Sequence, residues 1–184
     1  PVLGADNRVD YGTSLTLKPA AKPGYHCSEI WIDGVKQVSN SSAGLPSIEQ
    51  DVTVKFVFVP DEFAITYVNL TPTFGTLLVE RQQSGTTGWN GYTGSPGKAN
   101  YLDKIKVTAT PVNEHYLLDV LTLTSVSAGQ VAILSGAEQL VEEALTVNAS
   151  FKPKEYPVTL SKVDSPEKLK GKIVLKDKAT GNVL

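Results

Sequence analysis

Hydrophobic and polar positions alternate along much of the chain with a period of two. Val52, Val54, Phe56 and Phe58 are separated by Thr53, Lys55 and Val57, and Leu145, Val147, Ala149 and Phe151 by Thr146, Asn148 and Ser150. Successive side chains on a strand point to opposite faces, so this pattern predicts strands and not a helix, whose period is ~3.6. The segments Leu15–Lys18, Ile30–Ile32, Ile65–Val68, Leu77–Glu80, Ile105–Thr110, Leu117–Leu123, Val131–Leu134, Val158–Leu160 and Ile173–Lys176 are also short and rich in β-branched or apolar residues. Gly, Pro, Asn, Asp or Ser bound them, as expected of strands joined by turns. Asp33-Gly34, between Trp31-Ile32 and Val35-Lys36, predicts a tight hairpin, because such turns need positive φ. Ser135–Glu143 is the one helical candidate; its shortness predicts a turn or a single helical turn. The fold class expected is all-β, as two tandem antiparallel β-sandwich or sheet modules of about six strands each.

The tandem expectation comes from self-similarity. The segment Asp51–Pro60 lies over Ala144–Pro153 with Thr53/Thr146, Val54/Val147, Phe58/Phe151 and Pro60/Pro153 coinciding at a spacing of 93 residues. Ile48/Val141 and Glu49/Glu142 extend the match upstream, and Glu62/Glu155, Phe63/Tyr156, Ile65/Val158 and Thr66/Thr159 extend it downstream. Val9–Pro19 resembles Ala99–Ala109 at 90, and Ile30/Leu121 and Ile32/Leu123 follow at 91. A third, partial copy closes the chain, where Gly75–Glu80 parallels Gly171–Lys176 at 96 and Gly85 stands against Gly181. Pro1 and Leu184 fall in equivalent linkers. Cutting at the Gly-rich stretch gives two permuted modules, 1–88 and 89–184; cutting before the Phe63-type strand gives 1–60, 61–153 and 154–184. The second division leaves an orphan hairpin at the end, and with it the prospect of head-to-tail self-association.

Composition narrows the function classes. Seventeen Lys+Arg against nineteen Asp+Glu give a net charge of -2 with no long block of either sign, which argues against a general nucleic-acid surface. No apolar run is long enough to span a membrane. Cys27 stands alone, so an internal disulfide and a Cys-based metal cluster are excluded, and a small buried hydrophobe is expected. The absence of Met points to an excerpt or a processed product.

The string Tyr11-Gly-Thr-Ser-Leu-Thr-Leu-Lys-Pro19, then Pro23-Gly-Tyr25, Ile30-Trp-Ile-Asp-Gly34, Asp51-Val-Thr-Val54 and Phe58 resembles the divergent internalin-type B repeat, a bacterial repeat domain. The second copy departs from it, with Leu102-Asp103 for the Gly-Thr pair, Glu114-His115-Tyr116 for Pro-Gly-Tyr and Leu121 near the Trp position. Such repeats occur in tandem on exported bacterial surface proteins. The resemblance implies a noncatalytic spacer or adhesin stalk, extracellular or at the cell surface.

Candidate chemistry is sparse. No nucleophile elbow, zinc-protease motif, phosphate loop or dinucleotide fingerprint is present, so no enzyme activity and no cofactor are expected. His26 and His115 are about one module apart, and a structural or surface role is expected for both. Asp6-Asn7, Asp61-Glu62 and Glu142-Glu143 carry oxygens but lack the spacing of a calcium loop, and no metal site is expected. The most suggestive segment is Gln82–Gly97, long for a β connection and carrying Trp89, Asn90 and Tyr92. An aromatic ring beside Asn and Thr can stack on a sugar or anchor a protein partner, so Trp89, Asn90 and Tyr92 are the candidate binding residues, for a host or cell-wall glycan or protein. The competing expectation is that Trp89 packs on its own sheet and the rest is linker. Trp31 is a further candidate contact if Ile30 and Ile32 face the core.

Overall fold

The structure is a computed structural model and describes residues 8–159. Lys154 ends one compact unit and Glu155 begins a second, of which residues 155–159 are described and carry no regular secondary structure. Of the expected strand Val158–Leu160, Val158 and Thr159 are described and are not in a strand; the expected strand Ile173–Lys176 and the partial copy from Gly171 to Gly181 lie outside the described residues.

The described residues contain fourteen strands and no helix. The first five are β1 (Thr13–Leu17), β2 (Tyr25–Ile32), β3 (Val35–Lys36), β4 (Ala43–Ile48) and β5 (Val54–Pro60). They form a two-stranded sheet, β1-β4, and a three-stranded sheet, β3-β2-β5. The other nine are β6 (Glu62–Asn69), β7 (Gly75–Gln82), β8 (Asn90–Gly91), β9 (Gly97–Asn100), β10 (Lys104–Pro111), β11 (Tyr116–Ser125), β12 (Gly129–Ala132), β13 (Ala137–Leu140) and β14 (Leu145–Pro153). They form a four-stranded sheet, β13-β10-β7-β8, and a five-stranded sheet, β12-β11-β14-β6-β9.

The pairings repeat. β1 pairs β4 as β10 pairs β13; β2 pairs β3 as β11 pairs β12; β2 pairs β5 as β11 pairs β14. A bulge falls at the same place in both long pairs, between Cys27 and Glu29 and between Leu118 and Val120. Four pairings exist only once among the described residues: β6 lies parallel to β14, with Leu145 opposite Ile65, β7 lies antiparallel to β10, with Val107 opposite Val79, and β9 and β8 pair antiparallel with β6 and β7. Strand pairing therefore joins residues on both sides of position 88. Asp33 and Gly34 both take positive φ, and the Thr53 amide donates to the Asp33 carboxylate at 2.7 Å, which fixes the hairpin expected there. Ser135–Glu143, expected as a turn, instead contains β13. It has no buried apolar stripe, and hydrogen bonding to the edge of β10 draws it into the sheet.

Two cores follow from the alternation. The large one joins Ile65, Val79, Ile105, Val107, Leu121, Val147 and Phe151 from both facing sheets. The small one holds Cys27, Ile30 and Ala43, with Leu17, Ile32 and Phe56 only half-buried against it. Cys27 is the small buried residue expected, its thiol directed at the Glu29 carbonyl.

A compact joint links the two sets of strands. The Asp61 amide donates to the Gly24 carbonyl and the Tyr101 amide to the Asp61 carbonyl, both at 2.8 Å. The Tyr101 ring covers Gly24, where a Cβ would lie 2.4 Å from ring carbons, and meets Tyr25 edge-on at 5.7 Å. Gly24 also has a φ of 77°, which L side chains disfavour. Gly24→Ala is expected to cost ~1–3 kcal/mol by overpacking in addition to backbone strain, read by urea denaturation and by faster amide exchange at Asp61 and Tyr101. Gly12 has the same φ but open space around it, so Gly12→Ala should cost only about 1 kcal/mol.

Candidate functional site

The connection from β7 to β9 carries three of the four candidate binding residues. It is tied down along its length. The Ser84 amide donates to the Asp103 carboxylate at 2.8 Å, Thr86 closes a turn on the Gln83 carbonyl, and β8 pairs back onto β7 with Gly91 opposite Glu80. Farther on, the Tyr67 amide donates to the Ser95 hydroxyl at 2.9 Å.

Within this frame the candidates part company. Tyr92 turns toward the body of the protein. It stacks on Tyr67 at 6.0 Å, its hydroxyl donates to the Lys98 carbonyl at 3.1 Å, and its ring lies against Gly97. Burial pushes its phenol up to about 12, since the phenolate would lose solvation there. The neutral form is the one the fold favours. Its contribution is complete below an unfolded value near 10 and is lost as pH rises through about 12, so stability should fall across that window. A thermal-melt series through this range should lose part of its pH dependence in Tyr92→Phe.

Trp89 is half-buried, and the Lys106 ammonium sits 4.5 Å from its ring centroid. Lys106 lies opposite Glu80 in the β10–β7 pair and binds its carboxylate at 2.9 Å. One face of the indole is thus occupied by a cation held in place by a neighbouring acid. Asn90 is exposed beside it.

Trp31 lies in a different sheet. Ile30 is fully buried and Ile32 packs on the small core, so Trp31 points to the outer face. Its indole N–H donates to Glu29 at 2.8 Å, and Lys36 reaches the other oxygen of that carboxylate at 2.6 Å. The Lys36 hydrogen bond, followed by that of Trp31, holds the Glu29 carboxyl below the usual range. Each tryptophan therefore sits with one lysine and one glutamate, but on separate sheets.

Asp103 escaped the sequence reading as a functional or structural centre. It is the one charged residue buried among those described, at 1% exposure. Arg81 contacts its Oδ2 through Nε and Nη2, each at 2.6 Å, while the Asn100 amide donates to the same oxygen at 2.7 Å. With the Ser84 amide on Oδ1, the carboxylate closes the β9–β10 turn and pins the start of the β7–β8 loop. The signal available was the replacement of Gly12-Thr13 by Leu102-Asp103: Leu102 keeps the left-handed backbone of Gly12, with φ of 66° against 78°.

The remaining candidates are spread out. His26 Nδ1 and Asp61 Oδ1 are 2.6 Å apart at the joint, Glu62 binds Lys98, and Glu143 accepts from the amide and hydroxyl of Ser127. The Ser127 hydrogen bond is the main reason the Glu143 carboxyl titrates below the usual range. His115 is exposed in the turn before β11. Asp6-Asn7 lies outside the described residues. Among the described residues no three His, Cys, Asp or Glu side chains converge as a metal set, and no helix is long and apolar enough to cross a membrane. Compared with family profiles, with curated proteins and with solved structures, the chain matches none.

Proposed function

We propose that the chain is a noncatalytic spacer or adhesin-stalk segment of an exported bacterial surface protein, divided as 1–60, 61–153 and 154–184. The observation that carries this reading is the repeated strand pairing, two successive sandwiches linked by the short Asp61 joint. Its aliphatic positions fill cores, and its best-placed charged groups form structural pairs: Arg81–Asp103, Lys106–Glu80 and Lys36–Glu29. The resemblance to the internalin-type B repeat supports the extracellular setting. A spacer must resist extension. Single-molecule pulling of the full chain should give discrete force peaks whose length gains match β1–β5 and β6–β14, about 16 nm and about 31 nm at ~3.4 Å per residue. A chain that extends without a force peak would overturn the reading.

A second reading is favoured by the exposure of Asn90 beside a half-exposed indole: a module that binds a glycan or protein through Trp89 and Asn90, with Tyr92 supporting the loop and not touching the ligand. On a glycan array, the spacer reading expects no saturable signal. Binding that is lost in Trp89→Ala and kept in Trp31→Phe would establish the second reading instead.

A further inference from the structure

Among the described residues the β1–β5 sandwich has no counterparts of β6 and β7. In the larger sandwich, β6 covers the edge of β14 and β7 covers the edge of β10. Among the described residues, β5 pairs only with β2 and β1 only with β4. The consequence appears at the core positions along those edges. Ile105, Val107, Leu145 and Val147 are buried, whereas Leu15, Leu17, Val52 and Val54 are half-exposed. Phe151 is 2% exposed under Gly75 of β7; Phe58, its counterpart, is 42% exposed. An open groove of about 730 Å³ is lined by Leu15, Leu17, Leu45, Val52, Val54 and Phe56, with Arg8, Glu49 and Asp51 also along it.

The chain carries a matching pair of sequence segments elsewhere. Tyr156 and Val158 stand in the places of Phe63 and Ile65, Ser165-Pro166 in the place of Thr71-Pro72, and Gly171, Ile173 and Leu175 in the places of Gly75, Leu77 and Val79. Ile65 is fully buried, but Val158 is 73% exposed. The route into this segment is also repeated. The Lys154 amide donates to the His115 carbonyl at 2.8 Å, as the Asp61 amide does to that of Gly24. After Asp61 the chain enters β6 directly, and after Lys154 it enters the segment that resembles β6.

We propose that residues 155–184 of one copy complete the β1–β5 sandwich of a second copy, adding one strand parallel to β5 and one antiparallel to β1. By the register of the larger sandwich, Val158 faces Val52, Leu175 faces Leu17, and Phe58 closes over Gly171 as Phe151 closes over Gly75. Main-chain hydrogen bonds along two open edges supply affinity and the apolar groove supplies register. The occupant is a second copy and not the chain's own tail. In the single chain Phe58 is 42% and Val158 73% exposed, so neither is covered. The contact is heterologous, so copies add head to tail. Its Arg81–Asp103 equivalent is missing, since Asp177 and Thr13 occupy those places. This inference stands on pairing and burial and is independent of where the protein resides.

The test uses the full chain with cysteines at the two positions predicted to touch. In a Cys27→Ala background, needed because Cys27 lies directly opposite Phe58 and would capture a thiol placed there, Phe58→Cys and Gly171→Cys in one chain should give, on mild oxidation, a ladder of disulfide-linked multimers that collapses on reduction. Mixing the two single variants should give a linked heterodimer and nothing larger. A chain that stays monomeric on non-reducing gels, whether unlinked or closed on itself, overturns the proposal. Independently, Val158→Asp and Val54→Asp should each lower the mass in light scattering to that of one chain, and their mixture should restore a two-chain species. Multimers that survive both substitutions would place the contact elsewhere and refute it.

Discussion

Asp103→Ala is expected to lower the free energy of unfolding by ~3–5 kcal/mol, the largest loss for any polar substitution among the described residues. The carboxylate is sealed from solvent, and its removal leaves the Arg81 guanidinium and the amides of Ser84 and Asn100 without their shared acceptor. A buried charge stripped of its partner costs more than the pair contributed, because the desolvation already incurred is no longer offset. Urea denaturation checks the magnitude. A double-mutant cycle with Arg81→Ala should show strong coupling, so that the pair of substitutions costs less than the sum of the two. A loss below about 1 kcal/mol for Asp103→Ala would show that water replaces the missing acceptor. The loop bearing Trp89 should loosen with it, since Ser84 anchors its start.

Phe151→Ala should cost ~3–5 kcal/mol, while Phe58→Ala in the same medium should cost under ~1 kcal/mol in the isolated chain. The two residues are equivalent in sequence and differ in what lies over them. Phe151 fills the core beneath Gly75, and its amide donates to the Thr71 hydroxyl at 2.6 Å. Phe58 is 42% exposed, with Phe56 beside it, ring centroids 6.3 Å apart, and Cys27 opposite on β2. Thermal unfolding of the two variants at matched concentration gives the comparison. Equal losses would mean that Phe58 is already covered in solution, and dilution would then separate cover by a second copy from cover within the chain.

Much of the fold was legible in the sequence because alternation is a local property. The period of two over Val52–Phe58 and Leu145–Phe151 marks strands wherever those residues end up, and Asp33-Gly34 specifies its turn through backbone geometry alone. The repeat was legible for the same reason, as turn and core residues recur at matching places. β13 was not, because Ala137–Leu140 has no apolar alternation and takes its extended form from the hydrogen bonds offered by β10. The Gln82–Gly97 segment was legible as unusual but not as ordered. Asp103 and the edge of β7 anchor it from outside the loop, and its own Ser95 hydroxyl is tied to the Tyr67 amide, partners that the local pattern does not reveal.

The sequence by itself determined the all-β character, the places of most strands and the equivalence of residues about 93 apart, since these follow from pattern and backbone preference. Only the tertiary structure decided which equivalent residues share a fate. Phe58 and Phe151, or Leu15 and Ile105, are alike in kind, yet Phe151 and Ile105 are buried while Phe58 is exposed and Leu15 lines an open groove. Burial belongs to the set of strands that meet, and a residue's own neighbours in the chain do not contain that information.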